Sequence, residues 1–361
     1  MSAKEASLPE LATLRARLKA AGLFESREGA SWVKLGFLLA VVILCLASIA
    51  HFGLLAAWFA VPIAAVFGTA LAMFGHEGSH RSFSRSPLRN NLVNYFAFPL
   101  FSGLSTLYWR EKHDRLHHGH PNVEGVDPDI RPWPFASSVG DHERSGPVAR
   151  WIQRRAQSWA FWPSTLLMAA GMRRSSIISV TQYARKKGLD RTLFADVTCL
   201  VMHYTLWLVV PALIWGPLAA FLVYASIWAL VGTMLALVFL PAHVGLPIVR
   251  EQNHDWLHQL ETTQNLEMPR VVSFFFIGLD YQVEHHLFPK IPHMNQRAAA
   301  AMTAAWCAEH GIVHHSLPYL AALRGASKFM ANAWSSYTAE DPIEVRAGLV
   351  DRYVAPDKLA A

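Results

Sequence analysis

The run LGFLLAVVILCLASIAHFGLLAAWFAVPIAAVFGTALAMFG, residues 35–75, contains no Asp, Glu, Lys or Arg. A helix rises 1.5 Å per residue, so this run is too long for one crossing of a bilayer and suits two. His51-Phe52-Gly53 forms the natural turn between the two crossings. The stretch therefore predicts two transmembrane helices, at about 33–52 and 54–75.

A second apolar pair lies at about 193–215 and 218–240, joined at Gly216-Pro217, with Asp196 near its start. An acidic residue in this position is expected at the membrane interface or facing the helix bundle. The composition agrees, because 53% of the residues are hydrophobic and only 16% are charged. This charged fraction is well below that of a typical soluble domain. We expect an all-α membrane protein whose four transmembrane helices form two hairpins.

The basic residues predict the orientation. The segment 81–192 is rich in Lys and Arg, whereas the two hairpin turns carry none. Because cytoplasmic loops are enriched in Lys and Arg, both termini and the central segment are expected in the cytoplasm. The net charge of +6 is explained in this way and does not indicate nucleic-acid binding. Three widely spaced cysteines predict neither a disulfide framework nor a zinc knuckle.

We expect the chain to have three regions: an N-terminal segment 1–31, a membrane domain 32–310 that contains the four spans, and a cytoplasmic tail 311–361. The polar start shows no signal peptide, and Ser7 to Glu10 has the spacing of a capping box. A leucine stripe follows, which suits either a basic amphipathic helix on the membrane surface or a plain soluble helix. Its members are Leu8, Leu11, Leu14 and Leu18.

Three further segments outside the spans have helical character. Leu92–Tyr108 is apolar but short for a full crossing, so we interpret it as interfacial or re-entrant. Trp159–Met172 is typical of a helix on the membrane surface, and Asn295–His310 of one amphipathic helix.

Histidines cluster at the cytoplasmic ends of the predicted spans. Spacings of i, i+4 or i, i+3, i+4 place side chains on one helix face, where they can share a metal. Imidazole suits zinc, copper, iron and nickel, and eight imidazoles are too many for one tetrahedral zinc. They suit two metals with about four nitrogen ligands each. The candidate ligands are His76, His80, His113, His117, His118, His243, His285 and His286.

Other residues near these clusters have supporting interpretations. Glu77, Asp114 and Glu284 either orient imidazoles by accepting their second N–H or remain solvated charges. His120 is expected behind the ligands or facing the substrate. His51 and His203 are interpreted as packed or interfacial residues. The remaining histidines are interpreted as surface residues: His254, His258, His293, His310, His314 and His315.

The three boxes H-x3-H, H-x3-HH and Q-x2-HH resemble those of the membrane fatty acid desaturase superfamily. The flanking sequences HHGHPN at 117–122 and HHLFPKIPHMN at 285–295 are similar as well. The resemblance implies that the eight histidines bind two irons in a cytoplasmic helical cap above the four spans. Gln282 occupies a position that is histidine in many relatives. It is expected either to be a weak ligand or to donate a hydrogen bond from behind the ligands. The first box, HEGSH, departs from the usual HD-x-x-H, and no HPGG haem motif occurs.

The resemblance implies an O2-dependent acyl desaturase acting on an acyl lipid, acyl-CoA or acyl-ACP. Two electrons are then expected from a ferredoxin or cytochrome b5 type of donor and its reductase. A hydroxylase or other oxygenase on the same scaffold is the first alternative, and a histidine-lined metal transporter is the second. A transporter predicts ligands near the bilayer midplane, whereas these clusters lie outside the spans. The short chain favours a bacterial inner membrane.

Overall fold

The computed structural model describes residues 10–251 and 256–339. Four helices in these ranges are long and apolar enough to cross a membrane: Glu28–Phe52, Leu54–Ser79, Arg191–Trp215 and Pro217–His243. Each of the four predicted spans lies within one of these helices, and the all-α membrane class is confirmed. The second and fourth helices continue past their predicted ends, and this extension carries their histidines.

The remaining elements are mostly short helices. We number the α-helices in chain order as α1 Leu11–Ala20, α2 Glu28–Phe52, α3 Ala57–Ser79, α4 Pro87–Tyr95, α5 Thr106–Trp109, α6 Val139–Arg144, α7 Pro147–Arg155, α8 Gln157–Ser164, α9 Met168–Lys187, α10 Arg191–Tyr204, α11 Val210–Trp215, α12 Pro217–His243, α13 Leu257–Glu261, α14 Arg270–Phe276, α15 Gln282–Leu287, α16 His293–Glu309 and α17 Tyr319–Ser336. Short 3-10 turns lie at Leu54–Ala56 and Thr165–Leu167, and π-helical turns at Phe96–Ser102, Arg110–His117 and Thr205–Val209. Strands β1 Asn265–Glu267 and β2 Ser316–Pro318 pair in parallel.

The spanning helices pack through small residues. The helix α3 lies between α2 and α12 and buries Ala64, Ala65 and Gly68. Small side chains let helix backbones approach closely, which is how helices associate in lipid. Large apolar side chains such as Phe59 and Leu213 are exposed on the outer surface, where a bilayer would cover them.

The segment 92–108 does not form one helix. It runs through α4 and a π-helical turn, reverses at Gly103 with a φ of +67°, and continues into α5. Asp196 of α10 accepts hydrogen bonds from the Thr106 backbone N–H at 2.9 Å and from the Ser105 hydroxyl. Asp196 therefore faces the bundle, and its negative charge satisfies backbone donors at the start of α5.

The leucine stripe of α1 packs inside the protein. Leu14 and Leu18 are fully buried in a cluster with Trp306 of α16. The Trp306 indole N–H donates to the Thr13 hydroxyl at 3.1 Å, and Arg17 pairs with Glu309 at 2.6 Å. The membrane-surface interpretation of this helix is therefore wrong, and the soluble-helix alternative fits. Ser7 and Leu8 of the predicted capping box and stripe lie outside the described residues.

The two other predicted helices differ in outcome. The amphipathic helix expected at 295–310 is confirmed as α16. The single helix expected at 159–172 is wrong, because the chain there is divided into α8, a 3-10 turn and α9. Trp159 and Leu167 nevertheless remain exposed, so this region still presents apolar side chains outward.

The close packing of α12 on the 165–169 turn can be tested at Gly232. A Cβ at Gly232 would lie 2.6 Å from the Thr165 carbonyl oxygen, which is backbone and must shift. We expect Gly232→Ala to destabilise the protein by about 1–3 kcal/mol through overpacking. Gly36→Ala on α2 is the matched control, because no atom lies within 4 Å of the added Cβ. Thermal unfolding in detergent would measure both, and equal melting temperatures would contradict the close contact.

Candidate metal centre

Four chain segments deliver the candidate ligands to one place. The helix α3 carries His76 near its end, and His80 follows as its C-cap residue. The π-helical turn 110–117 carries His113 and His117, and His118 follows it. The helix α12 ends at His243, and α15 contributes His285 and His286. A π-helical turn is wider than an α-helical turn and is often found at functional sites.

Five of the eight imidazoles form one group. The Nε2 atoms of His76 and His113 are 3.0 Å apart, and so are those of His118 and His285. Two nitrogens that bind one ion at about 2.1 Å and a right angle are about 3.0 Å apart, so these separations fit a shared metal. The ligand atoms of the group all lie within 4.8 Å of one another; its members are His76, His80, His113, His118 and His285.

The other three imidazoles, His117, His243 and His286, form a second group. The Nδ1 atom of His243 faces the Thr262 carbonyl oxygen at 3.2 Å, and that of His286 faces Gln259 Oε1 at 3.0 Å. An Nδ1–H that donates to an acceptor fixes the tautomer in which Nε2 has a free lone pair. The buried Nε2 atoms of His243 and His286 have no hydrogen-bond partner in the described residues, which suits metal ligation.

The imidazoles divide into five and three, where about four nitrogen ligands for each metal were expected. Neighbouring residues separate: His117 and His118 belong to different groups, and so do His285 and His286. Rings of the two groups nevertheless stay close, since the His118 and His286 rings stack with centroids 4.3 Å apart. The two groups therefore form one continuous centre suited to two adjacent metals.

Burial keeps most of these imidazoles neutral. It lowers the pKa of His80, His118, His285 and His286 well below the ordinary value, and nearby imidazoles lower it further. Burial also lowers the pKa of His113, to about 4. Because the neutral imidazole is the form that binds a metal, these side chains are ready to bind at neutral pH.

Two carboxylates that the sequence did not single out as orienting groups lie behind His117 and His113. Asp127 Oδ2 is 3.1 Å from His117 Nδ1, and Asp129 Oδ2 is 3.6 Å from Nδ1 of both histidines. Burial opposes a charge on His117, but the two carboxylates outweigh it and raise its pKa. Lys112 pairs with Asp129. Burial raises the pKa of Asp129, but the positive charge of Lys112 outweighs burial and holds that pKa well below its ordinary value. The D-P-D spacing after the second box was the sequence signal for this pair.

The three acidic residues expected to orient ligands have different partners. Glu77 accepts from His293, with Nδ1 2.9 Å from both carboxylate oxygens. Glu284 accepts from Asn265 Nδ2 at 2.8 Å and lies 2.8 Å from His314 Nε2. The expectation that Glu77 and Glu284 orient candidate metal ligands is therefore wrong.

Asp114 alone of the three lies beside a candidate ligand. Its Oδ1 atom is 3.7 Å from His80 Nε2, and Ser79 donates to its other oxygen. Burial raises the pKa of Asp114 to about 6. Gln282 is buried but belongs to neither group, and its Nε2 atom has no hydrogen-bond partner in the described residues. His120 also lies outside both groups; its backbone N–H donates to the Leu116 and His117 carbonyls.

Several histidines interpreted as surface residues are buried or half-buried instead: His258 is buried, and His293 and His314 are half-buried. His258 Nε2 lies 2.7 Å from the Pro121 carbonyl oxygen, and His293 and His314 pair with glutamates as described above. Their partners lie 30 to 216 residues away in the chain, so no local pattern indicates them. His315 is partly buried, which lowers its pKa to about 4. Only His310 is exposed as expected, and His254 lies outside the described residues.

The two histidines interpreted as packed or interfacial lie in different surroundings. His203 is fully buried, and its ring nitrogens lie 3.2 Å from the Leu100 carbonyl oxygen and 3.0 Å from the Tyr224 hydroxyl. His51 is exposed at the turn and contacts Phe52. His203 is packed as expected, and an interfacial position for His51 stays a prediction.

Four apolar helices define an integral membrane protein, and its cluster of eight histidines could hold metal. The fatty acid desaturase family matches residues 52–318, and the chain belongs to this family, whose members are oxidoreductases. It is 25% identical to fatty acid desaturase 3 of Bos taurus over 326 residues, which is 88% of this chain and 71% of the relative.

For two further relatives, this chain spans a smaller share of the relative's length. The chain is 26% identical to the fatty acid desaturase 2-like protein FADS2B of Mus musculus, across 86% of this chain and 63% of the relative. It is also 26% identical to an acyl-lipid (9-3)-desaturase of Physcomitrium patens, across 67% of this chain and 46% of the relative. These names support the desaturase class, and the identities are too low to transfer a particular substrate.

The amide of Gln259 offers a test of the second group. It accepts from His286 Nδ1 and donates to the His118 carbonyl at 3.1 Å. We expect Gln259→Ala to weaken metal binding about 10–100-fold, because His286 loses the acceptor that orients it. Metal retained against increasing chelator would measure the loss. Gln259→Glu preserves an acceptor oxygen and should lose less; equal losses in both variants would contradict an orienting role.

Proposed function

We propose that this chain is an O2-dependent di-iron desaturase that introduces a C=C double bond into an acyl chain. The observation that carries the proposal is the convergence of eight imidazoles, in groups of five and three, at the ends of the long helices α3 and α12. The position of the groups at helix ends, rather than at the middle of the spans, weighs against a metal transporter.

The two histidine groups would hold one iron each, and their nitrogen donors fit iron. Bound iron supplies the strong oxidant, made from O2 and electrons, that no amino-acid side chain provides. The chain's own residues hold this centre in one geometry. Asp127, Thr262 and Gln259 accept from the Nδ1 atoms of the three-histidine group and so direct its Nε2 atoms inward.

A small apolar pocket lies beside the centre and is lined by α3, α9, α12 and the segment 98–109. Trp109 forms part of its wall and packs against His113, with ring centroids 4.5 Å apart. Because this wall is apolar, it would bind the hydrocarbon part of a lipid and exclude water from the reacting carbons.

The stoichiometry defines what else the protein needs. One O2, two electrons and two protons enter, two hydrogen atoms leave adjacent carbons, and two waters are released. The electrons would come from an external ferredoxin or cytochrome b5 type of donor and its reductase. The acyl chain would be carried by a lipid, CoA or acyl carrier protein. We place the chain in a bacterial inner membrane with the termini and the histidines in the cytoplasm, where such donors are soluble.

The proposed orientation can be tested by labelling single cysteines from outside the cell. His51 and Leu189 are both exposed, the former at the first turn and the latter between α9 and α10. In a chain whose native Cys45, Cys199 and Cys307 are replaced, we expect a membrane-impermeant maleimide to label His51→Cys and not Leu189→Cys. The reason is that basic segments stay in the cytoplasm. Labelling of the second variant in intact cells would overturn the orientation.

The metal assignment and the reaction can be tested together with His286→Ala. Removal of one nitrogen from the three-histidine group should lower iron from about two per chain toward one and abolish turnover. His310→Ala is the matched control, because His310 is exposed and contacts the Trp306 carbonyl oxygen far from the centre. Metal analysis of purified protein and mass spectrometry of extracted lipids would measure both effects.

Three results would contradict the proposal in different ways. Equal iron and equal turnover in the His286 and His310 variants would remove the ligand assignment. A single tightly bound zinc in iron-replete wild type would overturn the di-iron centre. A main product heavier by one oxygen, instead of lighter by two hydrogens, would identify a hydroxylase.

A further inference from the structure

The loop that follows the second histidine box is fixed against the end of α12. The side-chain amide of Asn122 donates to the His243 carbonyl oxygen at 3.1 Å, and its backbone N–H donates to Asp127 Oδ2 at 2.8 Å. The Glu124 N–H donates to the Val249 carbonyl oxygen at 2.8 Å. The loop is therefore anchored to a segment that itself carries a candidate ligand.

The two aspartates of this loop differ in the imidazoles that they face. Asp127 faces His117, with carboxylate oxygens 3.1 and 3.2 Å from Nδ1. The other hydrogen bonds that Asp127 accepts within the described residues come from the backbone N–H groups of Asn122 and Asp129. Asp129 Oδ2 lies 3.6 Å from Nδ1 of both His113 and His117. Because His113 belongs to the five-histidine group and His117 to the three-histidine group, one carboxylate faces a candidate ligand of each group.

The nitrogens that face Asp129 are those not turned toward the other candidate ligands. His113 Nε2 lies 3.0 Å from His76 Nε2, so its Nδ1 is the nitrogen left for an acceptor. His117 Nδ1 faces the carboxylates, which leaves its Nε2 for the three-histidine group. A metal makes the far N–H of its imidazole more positive, and a nearby carboxylate stabilises that charge.

Lys112 holds Asp129 in this position. Its ammonium pairs with Asp129 Oδ1, and Oδ2 is the oxygen that faces the imidazoles. Lys112 precedes His113 on the same π-helical turn, so the ammonium and the candidate ligand are fixed together. Both members of the pair are half-buried, and each would lose its partner if the other were removed.

We propose that Asp129, held by Lys112, is a positioning residue that stabilises metal in both histidine groups at once. It acts through His113 and His117 and is not itself a ligand. Asp127 has the same effect on the three-histidine group only. The proposal rests on the two-metal centre proposed above and is independent of the reaction that the metals carry out.

The difference between the two aspartates is clearest when one metal position is left. In His286→Ala the three-histidine group lacks one nitrogen, so the remaining tight position is the five-histidine group. Added to this variant, Asp129→Asn should weaken metal binding about tenfold, the lower end of the range for residues behind the ligands. The reason for the lower end is that 3.6 Å is longer than a hydrogen bond. Asp127→Asn is the matched control and should leave this position unchanged.

Co2+ added to the metal-free, full-length protein in detergent is the probe. It is next to Fe2+ in the affinity order for nitrogen ligands, and its visible absorption reports binding without turnover. Melting temperatures of the metal-free variants measure any loss of folding. The double change Lys112→Gln with Asp129→Asn leaves no ammonium without its partner. It should melt near the parent variant and still bind Co2+ about tenfold more weakly.

Two results would overturn the role of Asp129. One is an equal effect of Asp127→Asn and Asp129→Asn on the remaining position. The other is full recovery of Co2+ affinity in the double variant, which would assign the loss to the unpaired ammonium of Lys112. A protein that shows the expected pattern but forms no alkene would support the role of Asp129 and overturn the desaturase function instead.

Discussion

The convergence of eight buried, mostly neutral imidazoles is the constraint on which the rest of the structure depends. Two pairs of Nε2 atoms lie only 3.0 Å apart. A bound cation would stabilise such a concentration of nitrogen lone pairs in a buried site. Four distant segments of the chain meet at this point. The ends of α3 and α12 extend to it, and the π-helical turn between α5 and His118 lies beside them.

The support of the centre is asymmetric. In the three-histidine group each Nδ1 atom faces its own acceptor: a carboxylate of Asp127, the Thr262 carbonyl and the Gln259 amide oxygen. In the five-histidine group the imidazoles mainly contact one another, and Asp114 lies beside only one of them. Asp129 lies 3.6 Å from Nδ1 of both His113 and His117, and these three residues form a further candidate group that joins the two histidine groups.

The same packing that builds the centre also builds the cavity beside it. Trp109 contacts His113 on one side and lines the cavity on the other, so one ring connects the histidines to the cavity wall. Gly103 and Gly232 lie where backbones approach closely, and these contacts hold α9 and α12 in place around the cavity. The same set of helices thus positions both the histidines and the cavity wall.

The sequence by itself determined the four spans and the eight histidines, because charge-free length and i, i+4 spacing are local properties. The three boxes gave seven of the eight candidate ligands, and the position at the end of the fourth span gave His243. The tertiary structure decided the division into five and three, since His117 and His118 are adjacent in the chain but face different groups. It also decided that Glu77 and Glu284 pair with His293 and His314, and that the α1 leucines pack on α16. Periodicity reports which residues share a face within a few turns; it carries no information on partners that lie 30 or more residues away.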